Sequence, residues 1–162
     1  MSSATASTAV KPDWRNPIHL LAFGFGSGAA PKAPGTFGTL AALIPYYFLQ
    51  ELSLLPYLAV ILVSFIAGIY ICGKCSEDLG VHDHGGIVWD EFVGLWITLI
   101  AVPTGWQWVL LGFILFRIFD IAKPWPIHWA DKQVSGGFGI MLDDVLAGLY
   151  SLALLQLAAW YF

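Results

Sequence analysis

Five apolar runs punctuate the chain, at residues 37–50, 54–71, 92–102, 106–121 and 145–162. None has a charge at its centre; charges sit at the ends. A helix that crosses a bilayer needs about twenty apolar residues. The 54–71 run is long enough, the 37–50 run is short at about fourteen residues, and the 92–102 run reaches the length only by joining residues 87–91. The pattern predicts an all-α, polytopic membrane bundle of five transmembrane helices.

The chain ahead of the first run is of a different kind. Residues 1–13 are rich in Ser, Thr and Ala without an apolar period, which predicts a disordered tail. They lack the basic start and small-residue cleavage site of a secretory signal. Residues 14–25 are apolar but interrupted, with Trp14 and Arg15 at one end, and suit an interfacial segment on the membrane surface. Residues 26–38, GSGAAPKAPGTFG, read as a Gly/Pro loop. The organisation expected is a tail, 1–13, and one membrane-embedded domain, 14–162.

Composition sharpens the picture. Hydrophobic residues are 58% of the 162, charged residues only 11%, and the mean hydropathy is +0.74. Soluble domains carry about 25% charge, so an ordinary soluble enzyme and a disordered chain are both excluded. Seven Lys+Arg against eleven Asp+Glu give −4, with no basic surplus for a nucleic-acid backbone. Two cysteines cannot make a disulfide framework.

Charge position gives a topology. With the N-terminus inside, five crossings put residues 51–56, residues 103–105 and the C-terminus outside. Those outer segments hold no Lys or Arg, and Lys11, Arg15, Lys32, Lys74, Arg117, Lys123 and Lys132 all fall on the other face. The positive-inside rule makes that face cytoplasmic. Of the acids, only Glu51 lies outside. Chemistry is expected on the charged face.

Three stretches carry it: WDEFVG at 89–94, FRIFDIAKPWP at 116–126 and LDDVLAG at 142–148. Arg117, Asp120 and Lys123 are three apart and share a helical face. Gly94 and Gly148 each follow an acid by one turn, letting a neighbouring helix come close and gather acids from different helices. Five carboxylates meeting in low dielectric repel strongly. They are tolerated as protonated acids, as partners of Arg or Lys, or as ligands of divalent cations. Only Arg117 and Lys123 belong to the same motifs, and an all-oxygen carboxylate set suits Mg²⁺. The plain alternative is that acids at helix N-termini complement the dipole, although Asp120 falls at a C-terminus.

Two further features have competing readings. In residues 26–39 the glycines free backbone N–H groups for an anion, with Lys32, Thr36 and Thr39 adding charge and hydroxyls; the same stretch reads as a simple turn, and it is not a Walker loop. Cys72 and Cys75 form a CxxC with His82 and His84 downstream. No second CxxC follows and the histidine spacing does not fit a zinc finger, so two apolar thiols in a reducing compartment is the simpler reading. His82, Asp83 and His84 precede Gly85-Gly86 and would line the charged face. Signatures of phosphocysteine, aspartyl-nucleophile, phosphohistidine and CDP-alcohol chemistry are missing, which leaves a metal-activated water for phosphate hydrolysis.

The segments GSGAAPKAPGTFGT, IVWDEFVG, FRIFDIAKPWPI and LDDVLAG, in that order, resemble the phosphatidylglycerophosphatase A family over about residues 21–155. The resemblance implies a bacterial inner-membrane, Mg²⁺-dependent enzyme that removes the terminal phosphate of phosphatidylglycerophosphate to give phosphatidylglycerol and inorganic phosphate. It implies Asp90, Glu91, Asp120, Asp143 and Asp144 as catalytic acids and metal ligands, with Lys32, Thr36, Arg117 and Lys123 holding the phosphate. The partner expected is the phospholipid within the membrane, with no nucleic acid and the choice between monomer and homo-oligomer left open. Competing readings are a phosphatase for another lipid phosphate, such as phosphatidic acid, and a small ion-coupled transporter. Transport would need acids spread through the membrane depth, whereas here the helix centres are empty of charge.

Overall fold

Each of the five apolar runs contributes a helix to the computed structural model, which describes residues 10–82 and 84–162. The tail expectation for residues 1–9, and Asp83, lie outside the described residues. In chain order the helices are α1 (Pro17–Ala22), α2 (Pro34–Leu49), α3 (Leu54–Leu79), α4 (Trp89–Thr98), α5 (Trp106–Ala122), α6 (Ile127–Gln133) and α7 (Gly136–Tyr161), with a 3-10 turn at Gly24–Ala29. No strand occurs among the described residues.

Among the described residues two helices, α3 and α7, each of 26 residues, are long and apolar enough to cross a membrane. The others are shorter: 16 residues in α2, 17 in α5 and 10 in α4. The third run departs most from expectation. Its helix stops at Thr98 because Ala101 takes a left-handed φ of 51° and Val102 precedes Pro103, where helical backbone is disfavoured. At a rise of 1.5 Å per residue α4 reaches only about 15 Å. Every residue from Asp90 to Thr98 is buried, and α4 packs against α2, α3, α5 and α7, so it is the axis of the bundle.

The outer faces are apolar. On α2 and α3, Ile44, Phe48, Leu55, Leu62, Val63 and Ile66 all point outward. The polar contacts gather at one end, where α2, α4 and α7 begin and α3 and α5 finish. At the other end Tyr57 Oη donates to the Trp96 carbonyl at 2.7 Å, and Gln156 Nε2 to that of Ile100 at 2.7 Å.

The segment 14–25 becomes α1 and the start of the 3-10 turn. Asn16 caps α1 by accepting from the Ile18 N–H at 2.9 Å. Buried His19 docks it on α3: its Nδ1 accepts from the Asp13 N–H at 2.9 Å, and its Nε2 faces Asp78 Oδ2 at 3.2 Å. The Gly/Pro stretch is a loop only as far as Ala33. Pro34, with φ preset for a first helical position, starts α2, so Gly35 and Gly38 are helical.

Candidate active site

Helix α4 brings Asp90 and Glu91 in on its first turn, and α7 brings Asp143 and Asp144. The latter pair corrects the expectation that they sit at a helix N-terminus. Helix α7 already begins at Gly136, so the acids lie two turns inside it and cap nothing. What allows this is the crossing of α4 and α7. A β-carbon on Gly94 would meet the Asp144 carbonyl oxygen at 2.9 Å.

Asp90, Asp143 and Asp144 are buried and each offers a carboxylate oxygen within 4.8 Å of the others. Asp144 Oδ2 is fully buried and has no hydrogen-bond partner among the described residues. Lys123 sits beside this trio. It donates from Nζ to Asp143 Oδ2 and, at 2.9 Å, to Asp131 Oδ1. Burial works against its ammonium, but the carboxylates of Asp143 and Asp131 outweigh that and raise its pKa above the ordinary lysine value.

The remaining acids gather on Arg117. Its Nη1 pairs with Asp120 Oδ2 and lies 3.3 Å from Glu91 Oε2. Glu91 Oε2 also accepts from Thr39 Oγ1 at 2.6 Å. Gly35 leaves the room for this, since a β-carbon there would sit 2.4 Å from Glu91 Oε1 and 3.0 Å from Arg117 Nη2. The two groups form one field, because Asp120, Asp90, Asp143 and Glu91 all act electrostatically on Asp144.

The sequence-predicted residues therefore divide. All five acids, Arg117 and Lys123 come together. Arg117 and Asp120 share a face as expected, whereas Lys123 has left the helix: it is the C-cap, at φ 42°, and turns toward α7 instead. Lys32 is exposed on the loop and Thr36 is half-buried in the first turn of α2. Neither hydrogen-bonds to the acids among the described residues. Thr39, noted only for its hydroxyl, is the α2 residue that enters the site; its signal is the one-turn spacing from Gly35. Asp131 was missed, because no short spacing links it to Lys123 across the Pro124-Trp125-Pro126 turn.

The thiols and histidines do other work. Cys72 and Cys75 are buried and free, and Cys72 Sγ contacts Met141 Sδ at 3.8 Å. His84 Nδ1 accepts from the Gly86 N–H at 3.0 Å and His82 Nε2 from the Gly136 N–H at 3.3 Å. Both fasten turns.

Six carboxylates, counting Asp131, thus face two cations. Buried like charges at this separation need further compensation. The buried Asp144 oxygen and the all-carboxylate donor set fit a hard divalent cation that takes oxygen ligands. Asp90, Asp143 and Asp144 are close enough together to share one.

Comparison with known proteins covers most of the chain. The family model described as Phosphatidylglycerophosphatase A matches residues 20–159. A phosphatidylglycerophosphatase A of Escherichia coli (strain K12) is 55% identical over 141 residues, 86% of this chain and 82% of that protein. The protein of the same name from Haemophilus influenzae is 53% identical over 138 residues, 84% and 85% of the two chains. A provisionally named phosphatidylinositol-3-phosphatase of Bacteroides thetaiotaomicron is 45% identical over 149 residues, 87% and 92% of the two chains. No solved structure matches the chain.

Proposed function

The chain belongs to the phosphatidylglycerophosphatase A family, and from that premise we propose that it hydrolyses the terminal phosphate of phosphatidylglycerophosphate, releasing phosphatidylglycerol and inorganic phosphate. The observation that carries the reading is the buried trio of Asp90, Asp143 and Asp144, its oxygens within 4.8 Å of one another, flanked by Lys123 and Arg117. Acids without cations would repel a phosphate; this arrangement receives one once a divalent cation is bound.

The cation we assign is Mg²⁺, held by Asp90, Asp143 and Asp144, with Glu91 and Asp120 completing the acidic set. Bound there, it would supply charge neutralisation and Lewis-acid polarisation of the phosphoryl group. The chain's own residues do the rest. Arg117 and Lys123 offset charge on the phosphoryl oxygens. Lys32 and Thr36, on the loop and first turn beside the site, meet the headgroup as it arrives. Glu91, oriented by Thr39 and Arg117, takes the proton of the attacking water. An O–P bond forms as the bond to the glycerol oxygen breaks; that oxygen takes a proton from solvent water to leave as a hydroxyl, and Glu91 returns the proton it took to solvent.

A lipid phosphate lies at headgroup depth, which is where a site at one end of an apolar-faced bundle would meet it. We place the bundle in the bacterial inner membrane with five crossings: α3 and α7 span fully, α2 and α5 span with local thinning, and α4 crosses together with residues 99–105 that follow it. The positive-inside rule puts the site on the cytoplasmic face.

The test is phosphate release by purified protein in detergent, with Mg²⁺ and with EDTA. Release from phosphatidylglycerophosphate that needs Mg²⁺ supports the proposal, and no release overturns it. The Bacteroides relative is a reason to run phosphatidic acid and phosphatidylinositol 3-phosphate alongside. A faster rate on either would reassign the headgroup and leave the chemistry in place.

A further inference from the structure

Of the two cations in the site, Lys123 is the one its own helix does not hold. Arg117 pairs with Asp120 one turn along α5, whereas Lys123 is the C-cap of that helix and reaches across to α7. Its ammonium rides on a flexible four-carbon stem. What steadies it is Asp131 of α6, whose Oδ1 accepts from Nζ at 2.9 Å while Asp143 Oδ2 accepts from it on α7. An ammonium carries three donors. Two fixed partners orient the third, which is left for a phosphoryl oxygen; with one partner the group would turn freely about its last bond.

The fold builds this clamp without using the rest of the acids. Helix α6 is only seven residues long and is seated by Ile127 and Ala130, both fully buried. Its exit is pinned to α7, since a β-carbon on Gly139 would lie 2.0 Å from the Val134 carbonyl oxygen. Val134 follows Asp131 by three residues and Gly139 precedes Asp143 by four, so that contact sets the two carboxylates against each other with Lys123 between them. The cavity that Asp131 and Asp143 line with His82 is about 10 Å³, room for about one water and none for a phosphoryl group. Asp131 is also outside the trio whose oxygens lie within 4.8 Å of one another. A cation bound to the trio would therefore leave its hold on Lys123 in place.

We infer that Asp131 is a positioning residue of the reaction, acting through Lys123 to aim that ammonium at the phosphoryl group. This deepens the lipid-phosphatase reading and rests on it. A role through local charge alone has the opposite sign: one more carboxylate near an anion's site repels it, and removing that carboxylate would lower KM.

The experiment measures kcat and KM for phosphatidylglycerophosphate with the full chain in detergent and Mg²⁺, and melting in EDTA. Asp131→Ala should lower kcat by about tenfold or more, the scale of one charge-assisted hydrogen bond, with KM within about twofold. Asp131→Glu keeps the carboxylate and should recover most of the rate. In a Lys123→Met background, Asp131→Ala should cost nothing further, because the two residues act as a unit. Asp78→Ala, which removes a carboxylate from the ion pairs of α1 and α3, is the control and should keep the parental kcat. Parental kcat in Asp131→Ala, a fall in KM alone, or losses that add to those of Lys123→Met overturn the assignment and leave the phosphatase reading intact. So does a loss that follows melting temperature across Asp131→Ala, Asp131→Glu and Asp78→Ala alike. If Lys123→Met has too little activity to read, the kcat and KM split and the Asp131→Glu rescue decide. Should Asp131→Ala not fold, Asp131→Asn takes its place; its amide oxygen still accepts but without charge, so kcat should fall about threefold, and a parental rate overturns the assignment. If the unmodified protein releases no phosphate, the phosphatase reading fails and the role of Asp131 falls with it.

Discussion

Gly148 of α7 lies so close to Gly94 of α4 that a β-carbon on Gly148 would come within 2.6 Å of the Gly94 carbonyl oxygen. Backbone meets backbone there, one helical turn beyond Asp144 and Asp90. The distance between the two acid-bearing segments is therefore set by the absence of two side chains. The Thr98 hydroxyl, which donates within α4 to the Gly94 carbonyl at 3.0 Å, also reaches the Gly148 carbonyl of α7 at 3.5 Å.

Gly148→Ala should accordingly force α7 away from α4 and spread the acids. Overpacking of this kind costs about 1–3 kcal/mol, so the melting temperature in detergent should drop by several degrees and phosphate release should fall further than stability does. An alanine variant as stable and active as the parent would mean that the helices do not cross at this distance.

Asp144→Asn should separate stability from function in the opposite sense. The buried Asp144 carboxylate feels four other acids, and a neutral amide of the same shape relieves that repulsion. Melting without divalent cation should be unchanged or higher, phosphate release should fall about 100-fold or more, and the stabilisation by Mg²⁺ expected of the parent through linkage should disappear. Retained turnover would remove Asp144 from the ligand set.

Much of this was readable along the chain, and the failures have physical causes. The acids and Gly94 and Gly148 were legible because motif and one-turn spacing are local properties. The start of α7 was not. Gly136, Gly137 and Gly139 look like a loop, yet Gly137 is helical because α3 presses on it, its β-carbon position lying 1.8 Å from the Ile69 carbonyl oxygen. That is tertiary packing, invisible in a local window. Lys32 attracted attention as a charge among glycines, while the residue that faces inward is Thr39, a choice made by the rotation of α2 about its own axis.

Arg117→Lys is not a conservative change at this site. The guanidinium serves Glu91, Asp120 and Thr39 together, which an ammonium on a thinner stem cannot do. Losing one or more charge-assisted hydrogen bonds should reduce kcat/KM by about 10–100-fold. Arg117→Gln should be similarly impaired. A lysine variant at parental rates would show that charge alone suffices.

Topology can be read without substitutions in the core. The five crossings proposed above would put Phe162 opposite the acids, so an alkaline phosphatase fused to the C-terminus should be active in the periplasm, and one fused after Lys132 should not. Activity from neither fusion would mean an even number of crossings, and activity from only the second would mean the inverted orientation.

The cysteine pair offers the cleanest separation of packing from chemistry. Cys72 and Cys75 are fully buried, and Cys72 packs on Met141, one turn before Val145 and close to the acids. Neither thiol is among the groups able to share an ion with the trio in the described residues. Replacing both with Ala should therefore leave kcat within about twofold while lowering stability by about 1 kcal/mol per thiol, the scale of a small buried deletion. Serine is the poorer probe, since it buries a hydroxyl where the sulfur met apolar atoms. A thiol-alkylating reagent should likewise leave the folded protein active, because burial denies it access. Loss of activity in a double alanine variant that still melts cooperatively would bring the thiols back into the reaction.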